Sequence, residues 1–374
     1  MKRKKTIILS LVFGLLIVFY IFRVNYDTRG YISRLLNKID GKTLNSKFSV
    51  KIKSGNLSTD YDIDTAIKDI DSLGLNTVNI PVVINIDNIT ASDMKIEGWS
   101  EEKAKKLIKR LKKKKVNIIL EPYPWIRDGS ESETEWLPNN MNNFFNNWKT
   151  EVLKKLIDDI AIPYHVDAMY IGSNFSKFEK NEAGFCDTID YVRRYYKGLV
   201  SYRTNYWVTA NWNDNSTKEI EDKLKLEYEN KLNNRLFSKL DFISVAAYFE
   251  LTDKSENTVD NLVNALQSTQ RYNRKQNVKQ ELKNFYDKWG KPVFFGELGF
   301  PKTGKASIEP WNFEGINKSD NKEQANCFEA YRLCFEYEQW NLGFSVFAIG
   351  KDGSDKMYYP SEESAESIKK WYSK

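Results

Sequence analysis

Lys291-Pro292-Val293-Phe294-Phe295-Gly296-Glu297-Leu298-Gly299-Phe300 ends a short apolar run on a lone carboxylate. Val293 to Phe295 favour β structure, Pro292 suits the first residue of a strand, and Gly296 and Gly299 are expected to let the backbone turn sharply beside Glu297. Burying an ionised carboxylate is costly unless it is paired or hydrogen-bonded. Glu297 is therefore either half of a structural ion pair or a group kept for chemistry.

Outward from this run, β-like stretches alternate with amphipathic helical ones. Strand candidates are 48–52, 77–80, 116–120, 168–171, 206–210, 242–246, 293–295 and 344–347, with helical patterns such as 63–73, closing before Gly74, and 144–160. That alternation predicts a single (β/α)8 TIM barrel over residues 47–374. A barrel gathers its chemistry where strands end and βα loops begin. The third predicted strand is followed by Glu121, Tyr123, Trp125 and Arg127, the fourth by Ser173 and Asn174, and the fifth by Asn211 and Trp212. Tyr248 and Glu250 follow the sixth, Glu297 the seventh, and Lys351 with Asp352 the eighth. Aromatic faces stack on the apolar faces of sugar rings while amides and carboxylates bind hydroxyls, so the mixture suits a carbohydrate groove.

Composition narrows the chemistry. The chain has 374 residues, 41% of them hydrophobic, enough for a full core, and a single histidine. That residue, His165, precedes a strand instead of following one and reads as structural; His-rich zinc or iron sites are excluded, and no metal or organic cofactor is implied. Cys186, Cys327 and Cys334 are too few and too unevenly spaced for a disulfide framework or a metal clip. Carboxylate chemistry remains.

Residues 1–22 combine the basic tail Lys2-Arg3-Lys4-Lys5 with an uncharged, mostly apolar stretch from Thr6 to Phe22, followed by no A-x-A cleavage pattern. They are expected to form an uncleaved transmembrane signal-anchor, with residues 23–46 a stalk and the barrel on the extracytoplasmic side of the cell membrane. The formal charge of +6 hardly argues for nucleic acid, because four of the 57 basic residues lie in that tail, leaving 53 against 51 acidic ones. The lysines of 103–115 read as the solvated face of a helix.

The runs Asp167-Ala168-Met169-Tyr170-Ile171-Gly172, Val208-Thr209-Ala210-Asn211-Trp212, Asp241-Phe242-Ile243-Ser244-Val245-Ala246-Ala247-Tyr248-Phe249 and Lys291 to Phe300, continuing to Pro310-Trp311, occur in this order and spacing. Together they resemble the clan A glycoside hydrolases, most of all glycoside hydrolase family 113, whose members include β-mannanases. The resemblance implies an enzyme that hydrolyses a polysaccharide or oligosaccharide by a retaining mechanism, which the N-terminal segment would hold at the membrane. Glu297 would be the nucleophile, Tyr248 its hydrogen-bond partner, and Asn211 with Trp212 part of the sugar site, to which the strand-end residues Trp125, Arg127 and Ser173 and the loop residue Trp311 are added as candidates. It also exposes a departure: the family's general acid/base glutamate falls on Asn174, whose amide has no proton to give a leaving group. Glu179, Glu182, Glu250 or Glu121 would then have to act as the acid, the substrate would supply one, or the cleft would bind glycans without turnover.

Overall fold

The computed structural model describes residues 44, 48–210, 217–269, 275–313, 320–351 and 355–373. The expected tail and apolar helix of residues 1–22 lie outside the described residues, and among those described no helix is long and apolar enough to cross a membrane.

Strand β1 (Ile52–Leu57) is followed by β2 (Thr77–Ile86), on which the two-residue β3 (Lys95–Ile96) folds back antiparallel. Then come β4 (Asn117–Ile126), β5 (Ala168–Ser173), β6 (Leu199–Asn205), β7 (Ile243–Ala246), β8 (Val293–Leu298) and β9 (Asn341–Ile349). All except β3 pair in parallel, β9 pairs with β1 and β1 with β2, so the ring closes into a barrel of eight strands. Helices cover the outside. The first, Ile63–Leu73, shows why they form: Asp62 caps it by accepting from the Thr65 amide at 2.8 Å, Ala66, Ile70 and Leu73 share its buried face, and Gly74 closes it at φ 64°.

Side chains alternate along each strand. In β6, Val200, Tyr202 and Thr204 face the helices, whereas Leu199, Ser201 and Arg203 point into the barrel. Ile52, Ile119, Tyr170, Leu199, Phe242 and Phe294 belong to an apolar floor inside the ring. Above it lies a polar layer of Asn56, Asn79, Glu121, Arg203 and Glu297, on the side where the strands end.

Three expectations need correction. The fifth barrel strand is 199–205, not 206–210. The latter run is apolar because Trp207 packs against Tyr228, Phe249 and Phe285 outside the barrel, while the true strand hides its period behind an inward Ser201 and Arg203. Strand β4 runs on through Pro122 and Pro124, because β5 pairs with it only at Ile119 and Leu120 and leaves an edge that tolerates missing amide donors. Gly296 does not end the strand: β8 runs on to Leu298 with its register shifted at Gly296 against both neighbouring strands, and neither Gly296 nor Gly299 takes the left-handed backbone.

Candidate active site

Strand pairing places Glu297 beside the chain that carries Tyr248. Ala246 is its partner across the β7–β8 ladder, and the Ala247 amide donates to the Glu297 carbonyl at 2.8 Å. The Tyr248 hydroxyl, one residue farther on, hydrogen-bonds the Glu297 carboxylate. Gly296 is required by crowding. A Cβ there would stand 1.9 Å from the Ser244 hydroxyl and 2.8 Å from that of Tyr170, and these two hydroxyls are bonded to each other at 2.9 Å. The same contacts wedge Arg203 in place, with its guanidinium carbon 5.4 Å from the Tyr170 ring centre.

Arg203 serves two carboxylates at once. Its Nη1 donates to Glu121 Oε2 at 2.9 Å, and its Nη2 reaches Glu121 Oε1 at 2.5 Å and Glu297 Oε1 at 2.7 Å. Asn79 also donates to the Glu121 carboxylate, and Asn56 to the backbone carbonyl of Gly296 at 2.8 Å, which fixes the strand just before Glu297. One cation faces two buried carboxyl groups, one more than a purely structural pair would need. Burial pushes the Glu297 carboxyl up to about 7; Arg203 pulls it down, Glu121 and Glu133 push it further up, and the Tyr248 hydrogen bond favours the ionised form. Glu297 itself is 9% exposed, enough to meet a ligand at the rim.

The other candidates scatter. Asn174, in left-handed backbone at φ 56°, follows β5, its amide donating to the Arg203 carbonyl at 2.8 Å, which sets it in the same layer as Glu297. Neighbouring Ser173 is buried, and its hydroxyl and the Asn174 Oδ1 have no protein partner. Glu121 lies beneath Glu297, with both carboxylate oxygens taken by Arg203, turned away from a leaving group. Glu179 is turned to the outer face of β6, where Lys231 at 2.5 Å and the outward Thr204 at 2.7 Å take it. Glu182 begins the helix Glu182–Tyr195 and pairs with exposed Arg235 at 2.5 Å. Glu250 accepts from Trp311 Nε1 at 3.4 Å, so the loops after β7 and β8 meet, with Trp311 left 45% exposed as a stacking surface. Trp125 sits where β4 and β2 project past the barrel, its ring 6.4 Å from that of Tyr123. Arg127 points to solvent and pairs with Glu131 at 2.8 Å instead of reaching the cleft. Asn211, Trp212 and Asp352 lie outside the described residues.

Two acids escaped the sequence reading. Glu133, in a short 3-10 turn after β4 (Glu133–Glu135), accepts from Asn174 Nδ2 at 3.1 Å. Asp355 lies after β9, and its charge adds to burial in raising the pKa values of Tyr123, Tyr248 and Tyr358. Tyr248, Phe347 and Tyr358 form one wall, with ring centres 5.2 to 6.4 Å apart. The signal for Glu133 was present as alternating acids, Glu131, Glu133 and Glu135, just ahead of Trp136, but nothing local tells which of the three turns inward. Among the described residues no group of His, Cys, Asp or Glu could hold a metal ion.

The solved structures it resembles share this architecture. A GH113 β-1,4-mannanase aligns with TM-score 0.63 at 16% identity, covering 86% of this chain and 98% of that one. The GH113 β-mannanase AaManA of Alicyclobacillus acidocaldarius aligns with TM-score 0.64 at 15% identity, over 86% and 97%. A β-glucuronidase from Ruminococcus gnavus aligns with TM-score 0.52 at 11% identity, covering 86% of this chain and 49% of that one. No curated protein matches the sequence. The ring is a (β/α)8 barrel, the fold of these solved structures. The family model for Glycoside Hydrolase Family 113 matches residues 48–371, nearly the whole described barrel. The chain belongs to that family, whose enzymes act on O-glycosyl bonds.

Proposed function

We propose that the enzyme cleaves a polysaccharide with retention of configuration, Glu297 attacking the anomeric carbon to form a glycosyl ester. The observation that carries this reading is the placement of Glu297 at the strand-end rim between Arg203 at 2.7 Å and the Tyr248 hydroxyl. Arg203 favours the carboxylate needed for attack, and Tyr248 orients it. The solved GH113 neighbours are described as β-1,4-mannanases, so a β-1,4-linked mannan heads the substrates for this chain. In this reading Asn174 occupies the acid/base position of the family, and the N-terminal segment of residues 1–22 anchors the barrel outside the cytoplasmic membrane.

Full-length protein in detergent, given β-1,4-mannohexaose, cellohexaose and chitohexaose with products followed by NMR, tests the reaction. First-formed β-configured product is expected. An α-configured first product would show inversion and overturn the nucleophile role. Saturable oligosaccharide binding with no cleavage would instead favour the second reading, which Asn174 motivates: a cleft that holds glycans without turning them over.

A further inference from the structure

We propose that Glu133, carried on the loop after β4, is the general acid/base of this enzyme, held toward the scissile bond by Asn174; the proposal rests on the retaining reading above. The position from which a strand-end carboxyl would act holds an amide, and that amide donates from Nδ2 to Glu133 Oε1 at 3.1 Å. Asn174 is tied by its backbone amide to the Arg203 carbonyl at 2.8 Å, and Arg203 touches Glu297 at 2.7 Å. The carboxyl missing from the strand end is thus replaced, one side chain away, by a carboxyl from the preceding loop.

The loop is built to hold it there. Ser132 caps the turn by accepting from the Thr134 amide at 3.2 Å, and Glu135 is drawn aside by Lys177 at 2.9 Å. Behind Glu133, the fully buried Trp136 sits edge-on to Phe144 at 5.0 Å, Phe175 at 5.5 Å and Phe178 at 6.0 Å. Phe175 directly follows Asn174, so one aromatic cluster clamps the loops after β4 and β5 together. Trp136 Nε1 also donates to the Ala91 carbonyl at 3.0 Å, and the Leu137 amide to the Ile89 carbonyl at 2.7 Å, which ties the turn to the loop after β2.

Glu297 and Tyr123 both stand close enough to Glu133 to feel its charge. The proposed reaction uses Glu297 as the carboxylate and Glu133 as the proton donor. In the first step the Glu297 carboxylate bonds to the anomeric carbon, the bond to the leaving oxygen breaks, and the Glu133 proton moves to that oxygen. In the second, Glu133 takes a proton from water as the water oxygen attacks the anomeric carbon, and the ester bond returns its electrons to Glu297. Among the described residues, the other acids considered for this role are bound elsewhere: Glu179 on the outer face, Glu182 by Arg235, Glu121 beneath Arg203 and Glu250 against Trp311.

The test compares full-length wild type, Glu133→Gln, Glu133→Ala, Glu297→Gln and the double variant Glu133→Gln/Asn174→Glu, each shown folded by thermal unfolding. On whichever hexasaccharide the wild type cleaves, Glu133→Gln is expected to lose about 10²-fold or more in kcat/KM and the basic limb of its pH profile. With the matching 2,4-dinitrophenyl β-glycoside, which needs little acid help, kcat/KM should stay within about tenfold of wild type. Added azide should restore turnover of Glu133→Ala and yield the β-glycosyl azide, and the double variant should regain hexasaccharide cleavage. A change of less than about threefold in Glu133→Gln, with activity lost in Glu297→Gln, overturns Glu133 alone. Unchanged activity in Glu297→Gln, or no turnover of any substrate by wild type, defeats the retaining reading itself.

Discussion

At the scale of single residues, the site depends on Arg203 being asked to neutralise two acids. Burial works against its charge, but Glu121 and Glu297 outweigh that and raise its pKa. Replacing it with methionine should cost about 3–5 kcal/mol, since both carboxylates would be left buried without a cation; a denaturant midpoint unchanged from wild type would contradict this. Glu297 adds a pH signature. Its carboxyl is raised from the ordinary 4.5 to about 7 in the fold, so between those values the folded protein keeps a proton that the unfolded chain has released. Stability contributed by this group is therefore present below about pH 4.5 and lost as pH rises toward 7, on the order of 3 kcal/mol. Glu297→Gln has no such proton to lose. The variant should match the wild type more closely at pH 5 and exceed it at pH 8 in urea unfolding, and a difference independent of pH would refute the shift. Activity runs the other way: kcat/KM of the wild type should fall about tenfold per pH unit below 7, as the nucleophile is protonated.

At the scale of elements, the clamp around Trp136 joins packing to chemistry. Trp136→Ala should destabilise the protein by about 3–5 kcal/mol and lower kcat on hexasaccharide by releasing the turn that carries Glu133. If stability fell while kcat held, the clamp would be packing alone. This is also the scale at which the sequence was partly opaque. The buried runs of β7 and β8 were legible because three or four consecutive apolar residues end on a polar strand tip, and their register brings Tyr248 to Glu297. Strand β6 was not, because its inward residues are Ser201 and Arg203 and its apolar neighbour Trp207 belongs to an outer aromatic cluster. The inward turn of Glu133 depends on rings contributed by residues 144, 175 and 178, contacts that no local pattern encodes.

At the scale of the whole molecule, the closed ring supplies one face on which all the loops converge, and membership in Glycoside Hydrolase Family 113 accounts for residues 48–371 of the chain. With the proposed anchor, the barrel would lie on the extracytoplasmic side. A reporter fused after Lys374 should be active only outside the cytoplasm, and removing residues 1–22 should release the protein from the membrane fraction; activity confined to the cytoplasm would contradict the topology. Everything in the catalytic account requires Glu297 to bond covalently to sugar. Incubation of the full-length protein with a 2-deoxy-2-fluoro-β-mannosyl fluoride, followed by digestion and mass spectrometry, reads that bond directly. The expected result is a glycosyl adduct on the peptide carrying Glu297, absent from Glu297→Gln; a saturably bound but unlabelled protein, or a label on another residue, would contradict it.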